Sequence, residues 1–170
     1  VPFLRKEGAD DHTSASLASF IALKQAEEYW GFEFGTIAQL MANCPLRTDK
    51  DIKQSFELFE KNNCFSQISC FTYGWANPWW ALKLNENGFG EKIFPKSFSK
   101  RSQDLKDLYC PSGALWIAKR DKFVNSKSFY MDNLRYQPLN FISAMDIDTY
   151  DDLIMANALY QVRKELNNIS

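Results

Sequence analysis

Apolar residues recur at helical spacing over residues 16–30, where Leu17, Phe20, Ile21 and Leu23 fall on one face. Thr13 or Ser14 offers the side-chain oxygen that such a helix needs at its start. The apolar run over 36–42 is short enough for a buried parallel strand, and Pro45 ends it. Thr48 or Asp49 then caps a second helix with an inner stripe of Ile52, Phe56, Leu58 and Phe59. Residues 65–73, FSQISCFTY, predict a second strand. Over 77–107 the chain turns rich in Trp, Phe, Lys and Asn, and strands 80–84 and 89–94 flank turn residues 85–88 as a hairpin. Strand-like segments recur at 114–118 and 141–147. The last segment, 150–165, predicts an amphipathic helix with Leu153, Ile154, Ala158, Leu159 and Val162 inward, and with Asp151 and Asp152 where the helix dipole favours carboxylates. This alternation predicts one three-layer α/β domain over 1–170 with a mainly parallel sheet, and 77–107 as a hairpin insertion.

Composition narrows what such a domain does. Hydrophobic residues make up 45% of the chain, which marks it as globular. Lys plus Arg number 20 against 21 Asp plus Glu, so no broad field draws nucleic acid or an anionic membrane. An anionic ligand must be met by a few placed cations or a metal. The four cysteines, Cys44, Cys64, Cys70 and Cys110, form no CxxC pair, and the lone histidine is His12. That argues against zinc and for reduced cysteines of a cytoplasmic protein. No apolar run is long enough to span a bilayer.

The sharpest chemical signal is Asp146-Ile147-Asp148-Thr149. Two carboxylates two apart at the end of an apolar strand point to one face. Strand C-termini of open α/β sheets border the ligand crevice. Paired hard oxygens suit Mg²⁺, which keeps waters and bridges to phosphates. The plainer reading is a pair of loop aspartates, one of them capping the next helix.

A second motif shifts that balance. LMANCPLRT at 40–48 is a strand running into a proline-fixed turn and a helix start. Together with MDIDTYDDLIMAN at 145–157 it resembles the acylneuraminate cytidylyltransferase family, which shows LLQPTSPLRT-like and IDIDTxxDL-like segments. VPFLRKEGADDHT at 1–13 resembles that family's PFxRPxELxxD, KRSQDLKDLY at 100–109 its RRQDLPxxY, and PSGALWIAK at 111–119 its NGAIYI, all in the family's order. The resemblance implies a nucleotide-diphospho-sugar transferase-like fold and a homodimer packed through the inserted hairpin. It implies a nucleotidyltransferase of cell-surface polysaccharide biosynthesis, in which CTP and a nonulosonic (sialic-type) acid give a CMP-sugar and pyrophosphate. Carried over motif by motif, Asp146 and Asp148 become the catalytic, Mg²⁺-holding pair. Arg5, Ser14, Met41 and Asn43 become nucleotide-binding. Arg101, Gln103 and Ser112 become sugar-binding, with Arg101 and Gln103 lying near the sugar carboxylate, whose plane suits a forked guanidinium.

The departures bear on sugar identity. Met41 stands where the family has Gln, Asn43 and Cys44 where it has Thr and Ser, Ser102 at the second Arg of RRQ, and Ser112 at the Asn of NGAIY. The family's opening loop, similar to IPARxGSKxxxxKN, has no counterpart. With Val1 at the start, the expectation is a fragment lacking its phosphate loop and inactive alone. Two alternatives stay open: a non-catalytic scaffold or dimerisation module, and a cytidylyltransferase for another acidic keto-sugar. Among other clusters, His12 beside Asp11, Ser14 and Ser16 reads as a loop or cap residue rather than a triad. Trp79 and Trp80 read as hairpin or dimer core before a sugar platform. Lys96 and Lys100 join Arg101 in a small basic cluster, and Arg47 reads as structural.

Overall fold

The computed structural model describes residues 3–10 and 12–169, with side chains through Leu166; Pro2 of the PFxR match and Asp11 lie outside the described residues. Helix α1, Ala15–Trp30, starts at Ser14, whose hydroxyl accepts the Leu17 N–H, and ends where Gly31 takes φ 72° and bonds back to Glu27 O. Strand β1, Thr36–Gln39, follows. Helix α2, Asp49–Asn62, opens with a reciprocal box in which Thr48 and Asp51 satisfy each other's backbone N–H groups. Strand β2 is Ser66–Thr72. The hairpin pairs β3, Leu82–Leu84, with β4, Gly90–Lys92, around the predicted turn, where Gly88 has φ 82°. Strand β5, Tyr109–Lys119, runs into α3, Arg120–Ser126. Strand β6, Leu134–Pro138, α4, Phe141–Ala144, and α5, Tyr150–Ile169, complete the chain.

The main sheet has the order β1-β5-β2-β6. Strand β5 is antiparallel to both β1 and β2, and β6 is parallel to β2. Three strands therefore share a direction while most pairings are antiparallel, so the sheet is mixed where a mainly parallel one was predicted. Alternation along β5 builds two cores. Trp116 and Ala118 face Leu23, Ile68, Phe123 and Phe129, whereas Leu115 and Ile117 face Phe59 and Cys64. That gives the expected three layers. A β-bulge between Ile68 and Cys70 is filled by Ser69, which donates to Ser112 O and accepts from Leu115 N.

Two predicted elements change identity. The apolar run 141–147 is no strand: Asn140 caps α4 by accepting from Ser143 N, and 145–149 is loop. The strand in this region is instead Leu134–Pro138, a polar sheet edge. Helix α5 also turns differently. Ala156 and Leu159 pack against Leu46 and Met145, while Leu153, Ile154 and Val162 stay 41–54% exposed. In α2, Phe59 is buried as predicted and Phe56 is 44% exposed. Trp79 and Trp80 bond to the carbonyls of Lys106 and Ser97, and Trp79 packs edge-on to Phe94, so both belong to the hairpin's own packing.

Candidate functional site

Two chain reversals meet at the C-terminal end of β1. One is the turn 41–48 that follows it; the other is the loop 145–149 between α4 and α5. Main chain joins them first, through Ile147 N donating to Asn43 O at 2.9 Å. The Asn43 side-chain amide then donates to Asp148 Oδ1 at 3.2 Å. Leu46, Met145 and Ala156 close an apolar seam beneath. The acidic pair therefore sits in a loop rather than at a strand end, and Asp146 and Asp148 are both exposed. Cys44 is 0% exposed: burial first, then the Asp146 charge and more weakly that of Asp148, push its thiol above the ordinary range.

Asp152, in the first turn of α5, closes a capping box with Thr149, whose hydroxyl accepts from Asp152 N. Asp152 Oδ2 accepts from Thr149 N (2.8 Å), Thr149 Oγ1 (2.7 Å) and Asp148 N (3.2 Å). The Thr149 hydroxyl and these N–H groups hold its carboxyl below the usual range. Asp146 and Asp148 are thereby left free of the helix start. The T-x-x-D spacing was the available sequence signal for this division of labour.

The other candidate residues divide by place. Asn43 is in the site. Met41 is at its rim, half-buried, with its sulfur against Gly113. Ser112 is 4% exposed, and its hydroxyl donates to Ala144 O at 2.7 Å and accepts from Ala114 N. It is a brace under the site rather than a contact open to a sugar. Ser14 is exposed, its hydroxyl capping α1. Arg5 is exposed on a segment clamped to α1 by Gln25, which bonds to Leu4 O and Lys6 N. Arg101 forms a two-point pair with Asp104 at 2.8 and 3.0 Å, and Gln103 is exposed in the 3-10 turn Ser102–Asp104. Among the described residues, no bond brings Arg5, Arg101 or Gln103 to the acidic pair of the same chain. The Ser16 hydroxyl accepts from Phe129 N, which leaves the His12 neighbourhood without a triad. An apolar cavity of about 530 Å³ lies away from the pair, between Tyr109 and Pro111 of β5, Cys70 of β2, and Tyr136 and Pro138 of β6.

Among the described residues, no group of three or more His, Cys, Asp or Glu side chains is placed to hold a metal unaided. Two exposed hard carboxylates fit a cation that takes its remaining oxygens from water and phosphate.

No protein-family model matches the chain. It is 28% identical over 173 positions to the pseudaminic acid cytidylyltransferase of Campylobacter jejuni serotype O:23/36, covering 96% of this chain and 70% of that protein. The CMP-N,N'-diacetyllegionaminic acid synthase of Legionella pneumophila is 27% identical, with 97% and 71% covered. The chain is thus similar in sequence to proteins named as cytidylyltransferases and CMP-sugar synthases of sialic-type acids. The N-acylneuraminate cytidylyltransferase of Streptococcus agalactiae serotype III is 27% identical over 115 residues; there the chain spans only 28% of the relative's length. Two solved structures share the fold: 4-diphosphocytidyl-2C-methyl-D-erythritol synthase from Anaerococcus prevotii and CMP:2-keto-3-deoxy-manno-octonic acid synthetase in its CTP complex. Both have a TM-score of 0.58, at 13% and 12% identity, covering 88% and 90% of this chain and 67% and 70% of theirs. The mixed sheet with helices on both faces is consistent with the α/β nucleotide-sugar transferase-like fold of these two structures.

Proposed function

We propose that this chain forms part of a cytidylyltransferase that joins CMP from CTP to a nonulosonic acid and releases pyrophosphate. The observation carrying this reading is the acidic loop 146–148 held against Asn43 at the end of β1. The curated relatives add that proteins of this sequence type act on pseudaminic, legionaminic and N-acylneuraminic acids. In this reading the sugar's anomeric oxygen forms a bond to the α-phosphorus as the bond to pyrophosphate breaks. Asp146 orients that hydroxyl and takes its proton. Asp146 and Asp148 would hold Mg²⁺, which when bound neutralises charge on the phosphates. Asn43 fixes the Asp148 carboxylate.

The same reading gives roles to residues outside the loop. Arg101 and Gln103 would reach the sugar carboxylate of a second copy in a homodimer. The exposed hairpin residues Leu84 and Phe89, 69% and 74% accessible, support such packing. All four cysteines are free thiols, which supports placing the enzyme in a reducing compartment, the cytoplasm.

The deciding assay is pyrophosphate release from CTP, Mg²⁺ and a panel of pseudaminic, legionaminic and N-acetylneuraminic acids. It uses the chain alone and the chain fused behind a segment of the IPARxGSKxxxxKN type. Turnover by the fusion, lost in Asp148→Ala, is the expected result. Silence across the panel from a folded fusion refutes the enzyme reading and leaves a non-catalytic module.

A further inference from the structure

Past Gln39 the ladder between β1 and β5 opens. Met41 N still reaches Gly113 O at 3.1 Å. The carbonyls of Met41 and Ala114 go instead to a side chain: Arg47 Nη1 donates to both, at 3.0 and 2.7 Å. Ala114 is fully buried and the guanidinium half-buried, so these bonds lie inside the fold. One cationic group thus stands in for strand pairing at the point where β1 turns away. The far end of the turn is gripped from α5, where Arg163 Nη1 donates to Leu46 O at 2.6 Å. Asn43 and Cys44 lie between these two anchored carbonyls, and Cys44 N closes the turn on Met41 O at 3.3 Å.

We propose that Arg47 is a positioning residue for the acidic pair. By bridging the Met41 and Ala114 carbonyls, with Arg163 holding the other end, it sets the turn that carries Asn43, and through Asn43 the orientation of the Asp148 carboxylate. The inference rests on reading Asp146 and Asp148 as the cation-holding pair. A planar guanidinium holds two fixed carbonyls in a set geometry, whereas a lysine ammonium is a mobile point charge. Arg47→Lys keeps the charge and loses the bridge.

The test uses the 170-residue chain. Its first readout is the Asn43 side-chain amide signal in a nitrogen–proton correlation spectrum, with Asp148→Asn marking where that signal lies once the carboxylate is lost. Its second is Mn²⁺ affinity, with and without CTP, by electron paramagnetic resonance. In Arg47→Lys the Asn43 signal is expected to move to its Asp148→Asn position. Mn²⁺ affinity is expected to fall about tenfold, as when a ligand's supporting partner is lost, with the melting temperature held. An Asn43 signal and Mn²⁺ affinity unchanged in Arg47→Lys overturn the proposal. If Asp146→Ala and Asp148→Ala leave Mn²⁺ affinity unaltered, the cation reading fails, and the Asn43 signal alone decides the positioning role. If Arg47→Lys does not fold, Arg163→Lys releases the same turn at Leu46, and an unmoved Asn43 signal there overturns the proposal as well.

Discussion

The Asn43 amide and the Asp148 carboxylate, 105 positions apart in sequence, meet at 3.2 Å and tie the turn after β1 to the loop before α5. The other bond of the Asn43 side chain is a weak one, its Oδ1 accepting from the Cys44 thiol at 3.9 Å, and its carbonyl bond to Ile147 is main-chain. Asn43→Ala therefore removes the orienting donor while sparing the turn. Turnover of the fused, assayable protein is expected to fall about 10–100-fold, the usual loss when a supporting partner of a metal-binding carboxylate goes. The melting temperature is expected to stay close to the parent's. A large drop in melting temperature at unchanged turnover would assign Asn43 to the scaffold instead.

Far from the site, Glu27 predicts how the fold responds to acid. It is 7% exposed and takes paired bonds from Arg120 at 2.8 and 2.9 Å, with Lys24 at 2.7 Å. The Arg120 hydrogen bonds lead in pulling its carboxyl from an ordinary 4.5 down to about 2. A depressed folded value means that the unfolded chain binds the proton more tightly. The stabilisation is thus complete above about 4.5 and drains away as pH falls towards about 2. Melting temperature measured from pH 6 to 2 is expected to drop more steeply in the parent than in Glu27→Gln. The variant should melt several degrees lower at neutral pH, because Arg120 loses its buried carboxylate partner and keeps only the exposed Glu33. Parallel curves would show that the pair contributes no acid sensitivity.

The two threonine caps test how far helix starts serve the site. Thr48 and Asp51 open α2, and Thr149 and Asp152 open α5, with Thr149 adjoining Asp148 in sequence. Thr48→Ala and Thr149→Ala are each expected to cost about 1 kcal/mol in chemical denaturation. Thr149→Ala alone is expected to reduce turnover as well. Asp152 also holds Asp148 N, and loss of the cap loosens the loop that bears the acidic pair. Equal effects on turnover would show that neither cap feeds the site.

The α2 cap at Thr48 was legible because its signal is local: a threonine, two residues, a carboxylate. The same spacing at Thr149 and Asp152 caps α5, where the sequence alone pointed to an aspartate of the 146–148 pair. The hairpin was legible for the same reason, since Asn85 accepts the turn's N–H groups and Gly88 takes its positive φ. What escaped was set by distant contacts. A short apolar run such as 141–147 suits strand or helix equally, and only the Asn140 cap on Ser143 decides. Strand β6 is a sheet edge with Arg135 and Tyr136 both exposed, so it lacks the apolar density that marks buried strands. Periodicity holds no information on strand direction, which left the reversed β5 unseen. Among the site residues, the DIDT spacing pointed to Asp146 and Asp148. The guanidinium–carbonyl bonds of Arg47 and Arg163 have no sequence signature, since their partners are backbone atoms brought together by the fold.

Gly113 offers a test of the site's rim that includes its own remedy. A Cβ there would lie 2.3 Å from the Met41 sulfur and 3.2 Å from Met41 Cβ. A thioether can swing aside, but its Cβ moves only with the backbone, and Met41 N is bonded to Gly113 O. Gly113→Ala is thus expected to destabilise the fold by about 1–3 kcal/mol, the range for overpacking. It should also push the turn at Met41 away from β5, lowering turnover. Met41→Ala removes the colliding atoms and by itself costs the packing of a half-buried methionine. The double variant Gly113→Ala with Met41→Ala should then be more stable than the sum of the single losses implies, a coupling that denaturation of all four proteins measures directly. Strict additivity would show that the chain absorbs the extra methyl elsewhere, and that contact with Met41 is not what reserves position 113 for glycine.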